Sequence, residues 1–311
     1  MKALVAPTYG PLDQLVITDM PTPVPGPGQI LVRVRAAALN PLDVALITGA
    51  MRDMMPVEHP FVVGMDAAGV VSDVGEGVSR FAVGDEVVVY THFHPGTIAE
   101  YTLVAEGPNV ARRPTGLDAI RGAALPAVSV TAEQVVAAAG VQRGQTVLVV
   151  GATGGVGSFA VQLAAKAGVR VLATASPADT EYARRLGAHE VIDFTSTDTA
   201  REALRHQPDG VDAAVDLINR GPALATTAAA VKPGGRLVST LMGPAALDGV
   251  TPVYVRMAAE DGQLQRLADQ VAAGTLGVEV TATYDFADAP EAMAAFAAGK
   301  HTRGKVVVTL P

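Results

Sequence analysis

Over the first third of the chain, short apolar runs alternate with turn signals. Gln29–Ala38 (QILVRVRAAA), Ala67–Val74 (AAGVVSDV) and Glu86–Tyr90 have strand character. PVPGPG at 23–28, GEG at 75–77 and VGD at 83–85 separate such runs. Short strands without helical periodicity over residues 1–110 predict a β-barrel-like domain. The pattern changes near Gly122. Ala123–Ala139 is Ala-rich and predicts one helix, stopped by Gly140. Thr146–Val150 predicts a strand, followed by a glycine-rich turn, a helix over Ser158–Ala167 and a second strand, Arg170–Ala175. A helix at Tyr182–Leu186 and strands at Glu190–Asp193, Ala213–Leu217, Arg236–Leu241 and Thr251–Val255 continue the series. Strands alternating with helices predict βαβ units and a parallel sheet. Gly262–Ala273 is an amphipathic helix, and the tail predicts strand (Val278–Tyr284), helix (Pro290–Ala298) and strand (Lys305–Leu310).

Composition narrows the function. A length of 311 residues is a prior for about two domains. A formal net charge of -8 argues against nucleic acid or an anionic membrane as partner, because phosphate contacts need clustered Lys and Arg. The chain has no Cys, which rules out disulfides and thiolate-held zinc. Met1 opens a strand-like KALVA run instead of a basic segment followed by an apolar one, and no apolar stretch reaches the ~20 residues of a membrane span. The expected location is cytoplasmic.

The chemistry is carried by residues 147–157, VLVVGATGGVG. Gly151, Ala152, Thr153, Gly154, Gly155, Val156 and Gly157 lie between an apolar strand and a helix. There, glycines permit a tight turn and close approach of backbone to a pyrophosphate, and the helix offers unpaired N–H groups. An NAD enzyme of this kind places an acid at the end of the second strand to bind the ribose hydroxyls. Here that position is Ser176, so NADPH is the expected cofactor. Arg184 and Arg185 lie further on, in the next helix.

With these residues in place the chain resembles the medium-chain dehydrogenase/reductase superfamily, and within it the zinc-independent, zeta-crystallin-like quinone oxidoreductases. The resemblance runs through Asn40-Pro41-Leu42-Asp43, Gly64-Met65-Asp66-Ala67-Ala68-Gly69-Val70-Val71 and Val83-Gly84-Asp85. It continues in Gly96-Thr97-Ile98-Ala99-Glu100-Tyr101, Thr131-Ala132, the GATGGVG turn, Leu186-Gly187-Ala188 and Gly299–Lys305. It implies an α/β fold: a doubly wound Rossmann sheet (123–258) inserted in a GroES-like catalytic domain (1–122, with 259–311 returning to it). The active site would lie in the cleft between them. It also implies a homodimer.

Zinc-bearing relatives carry an early Cys and a Gly-His-Glu where this chain has Gly64-Met65-Asp66, so no metal is expected. His92 and His94 form an HxH pair but would need a third ligand. The resemblance implies that Asn40 faces nicotinamide and substrate, that Asp66 orders the cleft, and that Thr131 and Arg303 approach the cofactor. Leu217, Ile218 and Asn219, after Asp216, and Ser239 to Leu241 lie at the carboxyl edge where ligands bind in such sheets. Relatives often cover the adenosine with a Tyr where this chain has Phe194, and often place a Lys where it has Thr180, flanked by Asp179 and Glu181. The Met-bearing segment 50–59 is expected to line an apolar substrate pocket. The expected function is an NADPH-dependent reductase of a small apolar quinone or α,β-unsaturated carbonyl. The alternative is an NADPH-binding sensor or structural module without turnover.

Overall fold

Gln29–Ala38 organises one half of the molecule. Its burial pattern is almost continuous, and its register shifts twice against Asp66–Val74, between Leu31/Val32 and between Val34/Ala36. Such bulges bend a strand, and this one pairs antiparallel with Asp66–Val74, with Tyr101–Ala105 and with the C-terminal Lys305–Thr309. The computed structural model describes residues 1–92 and 96–311. Among the described residues these strands belong to a seven-stranded sheet that also holds Glu86–Tyr90, Val110–Arg112 and Val280–Asp285. A three-stranded sheet of Val16–Asp19, Lys2–Ala6 and Phe61–Val62 accompanies it. Leu4, Ile30, Phe61, Val306 and Val308 share the core between them. This unit comprises Met1–Ala127 and Ala259–Pro311, so the tail returns to the first domain.

The second unit is Val128–Ala258. Its six strands, all parallel, run in the order Glu190–Asp193, Arg170–Ala175, Thr146–Val150, Val211–Asp216, Val231–Ser239, Thr251–Tyr254. All five residues of Thr146–Val150 are buried. A central parallel strand is covered on both faces, which is why its sequence is apolar without alternation.

Several elements differ from the sequence expectation. The helix expected over Ala123–Ala139 is two helices, Ala119–Ala123 and Pro126–Ala139. Pro126 has no N–H to donate to a preceding turn, and it fits only at the start of a new helix. The first of these helices packs on Gln29–Ala38 and Asp66–Val74, so the units divide after Ala127 and not after Gly122. The N-terminal region is not strands alone, because Pro41–Ile47 is a helix. At seven residues it is too short to show a periodicity. Thr199–His206 and Leu224–Ala228 are likewise short helices without a sequence expectation. Among the described residues no helix is long and apolar enough to cross a membrane.

Candidate functional site

The glycine-rich turn leaves Thr146–Val150 at Gly151, whose φ of 82° is left-handed and favours glycine. The Gly151 N–H donates to Thr174 Oγ1 of the neighbouring strand at 3.0 Å, which ties the turn to the sheet. Gly154 caps the twelve-residue helix Gly155–Lys166. A Cβ on Gly157 would lie 2.0 Å from Gly151 O, so this residue must be glycine for helix and turn to close together. A Cβ on Gly154 would meet only Gly151 O, at 3.5 Å, so the space before the helix N-terminus is open. Open N–H groups at the positive end of a helix dipole suit an anionic phosphate.

Several of the other residues expected near a dinucleotide lie at the carboxyl ends of strands in the parallel sheet. Leu217, Ile218 and Asn219 follow Val211–Asp216, and buried Asp216 shapes that loop by accepting the N–H groups of Ile218 and Asn219 at 3.0 and 2.8 Å. Ser239 Oγ accepts the Leu241 N–H at 3.0 Å. Ser176 directly follows the strand Arg170–Ala175, and its hydroxyl donates to Asp179 Oδ2 at 3.0 Å. Phe194, Ile218 and Met242 follow three of these strand ends, and each is more than half exposed. Large apolar side chains left uncovered along one sheet edge mark a surface suited to a ligand's apolar parts. These residues fit a dinucleotide: a phosphate cradle flanked by apolar side chains. Thr131 is buried in the helix Pro126–Ala139.

In the other unit, Asn40 and Asp66 form a buried polar cluster with two residues the sequence did not single out, Asp43 and Lys305. Asn40 precedes the helix Pro41–Ile47, and its N–H donates to Asp43 Oδ2 at 2.7 Å. Asn40 Nδ2 donates to Asp66 Oδ2 at 3.0 Å, and the Ala127 N–H donates to Asp66 Oδ1 at 2.9 Å. Lys305 Nζ donates to Asn40 Oδ1 at 2.6 Å and Leu39 O at 2.7 Å, and lies 3.5 Å from Asp66 Oδ2. Burial pushes the Asp43 carboxyl up to about 7, against the pull of the Asn40 N–H and the Lys305 charge. Burial also raises Asp66, opposed by Lys305 and by its hydrogen bonds, and lowers Lys305, opposed by the two carboxylates. The one available signal for Lys305 was a charged residue heading an apolar strand, KVVVT. Arg303 Nη2 lies 3.1 Å from Glu279 Oε1.

The donor set does not suit zinc. Met65 Sδ accepts from the Tyr90 hydroxyl at 3.9 Å, and both oxygens of Asp66 already accept hydrogen bonds. His92 Nε2 is 2.9 Å from Asn109 Nδ2, and His94 lies outside the described residues. Among the described residues no group of three or more His, Asp or Glu is placed to hold a metal ion.

Comparison with known proteins gives the same fold. The family described as "Alcohol dehydrogenase GroES-like domain" matches residues 26–140, and the one described as "Zinc-binding dehydrogenase" matches residues 186–308. The chain is 31% identical to a chloroplast envelope quinone oxidoreductase homolog of Arabidopsis thaliana, over 93% of this chain and 92% of that protein. It is 34% identical to an NADPH-dependent alkenal/one oxidoreductase of the same plant, over 78% of this chain and 67% of that one. The solved structure of the quinone oxidoreductase from Coxiella burnetii superposes with a TM-score of 0.89 at 27% identity, covering 100% of this chain and 99% of that one.

Proposed function

Since this chain belongs to the quinone oxidoreductase branch of the medium-chain dehydrogenase/reductase superfamily, we propose that it transfers a hydride from a reduced nicotinamide dinucleotide to a quinone or an α,β-unsaturated carbonyl, without a metal. The observation that carries this reading is the open turn at Gly154, set at a helix N-terminus and flanked by exposed Phe194, Ile218 and Met242.

The reduced nicotinamide supplies the hydride when bound. The protein supplies position, which accounts for much of the acceleration in such transfers. Gly151–Gly157 would hold the pyrophosphate against the N-terminus of Gly155–Lys166. Phe194 and Ile218 would cover the adenosine, and Leu217, Asn219, Ser239 and Leu241 would complete that edge. Thr131 and Arg303 are assigned to the cofactor by family resemblance. Asn40 is the polar group assigned to the substrate side, held by Lys305 and Asp66 so that its amide cannot turn over. A quinone takes its proton from water, so no dedicated acid is needed. Position 176 carries no acid, but the Ser176 hydroxyl meets Asp179 Oδ2 at 3.0 Å, so the residue at this position does not by itself select NADPH over NADH. The same reading includes a homodimer through Thr251–Tyr254, which ends the six-stranded sheet.

The deciding experiment is oxidation of NADPH and NADH, side by side, with a benzoquinone and with a small enone. Turnover with either acceptor is the expected result, and the faster one names the substrate class. Tight dinucleotide binding without turnover on either acceptor would replace the reductase with a nucleotide-binding sensor or structural module.

A further inference from the structure

We propose that the carboxylate of Asp179 acts in place of the acid missing at position 176, taking the ribose hydroxyls of NADH and excluding the 2′-phosphate of NADPH. This rests on the reading of Val128–Ala258 as a dinucleotide site.

A short turn returns Asp179 to the end of the second strand. Pro177–Asp179 form a 3-10 helix directly after Ser176, and the Asp179 N–H donates back to Ser176 O at 3.0 Å. The Ser176 hydroxyl then points its hydrogen at Asp179 Oδ2, 3.0 Å away. A serine at this position favours NADPH only if its hydrogen is available to a phosphate oxygen. Here the hydrogen is directed to a carboxylate, and the charge at the strand end is negative.

The neighbouring strand end adds a second carboxylate. Ala175 pairs directly with Asp193, and adjacent strands lie about 4.8 Å apart. Asp193 accepts from the Thr195 N–H and hydroxyl and from the Ser196 hydroxyl, and these bonds hold its carboxyl below the usual range, so it is ionised. No Lys or Arg occupies residues 171–183. Of the two arginines that follow, Arg184 pairs with Glu181 at 2.8 Å, and the Arg185 guanidinium lies 5.9 Å from the Tyr182 ring centroid. A 2′-phosphate, with a charge of about -1.5 to -2 near neutral pH, would meet like charge at both strand ends. A ribose diol is neutral and can donate to either carboxylate.

The test is equilibrium binding of NADH and NADPH, read by nucleotide fluorescence. It uses the wild-type protein, Asp179→Asn, and the double variant Asp179→Asn with Ala178→Arg. Asp179 is partly exposed, so these changes leave the core intact, which thermal melting checks. The wild type is expected to bind NADH at least tenfold more tightly than NADPH. Asp179→Asn should weaken NADH and strengthen NADPH until the ratio approaches one, and the added arginine should invert it. Wild-type protein that binds NADPH as tightly as NADH, or a ratio unchanged in Asp179→Asn, overturns the proposal. Failure to bind either dinucleotide overturns the dinucleotide reading itself, and the specificity with it.

Discussion

Lys305 Nζ donates a 2.6 Å hydrogen bond to Asn40 Oδ1 across 265 positions of sequence. The bond decides which way the Asn40 amide faces: its carbonyl meets the ammonium and its nitrogen meets Asp66. A buried cation thus joins the last strand to the helix start at residue 40. Removing one partner of a buried charged pair leaves the other desolvated and uncompensated, which costs about 3–5 kcal/mol. Lys305→Met should therefore lower the unfolding free energy by roughly that amount, measured by urea denaturation. A variant as stable as wild type would show that the ammonium does not hold the cluster.

Asp43 makes stability depend on pH. Its carboxyl, raised by burial to about 7 in the folded state from the ordinary aspartate value of 3.8, binds its proton more tightly in the folded than in the unfolded chain. Its contribution is complete below the unfolded value and is lost as pH rises through about 7. Between pH 5 and pH 7.5 the loss from this one group is about 2 kcal/mol. Urea midpoints at the two pH values should differ in that sense, and Asp43→Asn should reduce the difference. An equal slope in wild type and variant would remove Asp43 as the cause.

Gly154 and Gly157 should behave differently on substitution. Gly157→Ala drives a Cβ into Gly151 O and should disrupt the turn, with loss of both stability and dinucleotide binding. Gly154→Asp has room, and its φ of -71° suits any residue, so it should fold normally. Its carboxylate would repel the pyrophosphate, so binding should fall at least tenfold. Normal affinity in a folded Gly154→Asp protein would move the phosphate site elsewhere.

Metal removal should leave activity unchanged. With no Cys in the chain and both oxygens of Asp66 engaged by Asn40 and the Ala127 N–H, the segment Gly64-Met65-Asp66 offers no competent zinc donor set. Dialysis against a chelator and elemental analysis test this directly. Stoichiometric zinc, or activity restored only by added zinc, would contradict it.

The parallel sheet and the glycine-rich turn were legible because their signals are local. A strand buried on both faces reads as an unbroken apolar run, as in Thr146–Val150, and a turn needing left-handed backbone shows as glycine at 151. The helix break at Pro126 was legible in principle, yet the Ala-rich composition on both sides obscured it. The helix Pro41–Ile47 spans two turns, too few to establish a period.

By itself, then, the amino-acid sequence determined the β-rich first region, the alternating strands and helices after it, the turn at 151–157 and the lack of thiolate ligands. Each follows from the spacing or identity of neighbouring residues. Only the tertiary structure decided that Asn40, Asp43, Asp66 and Lys305 share one buried cluster, and that the Ser176 hydroxyl faces Asp179. A buried charge needs partners close in space, and here they come from segments up to 265 positions apart. Hydrophobic periodicity reports which face of an element turns inward. It carries no record of which polar side chains from distant elements meet once the sheets have formed.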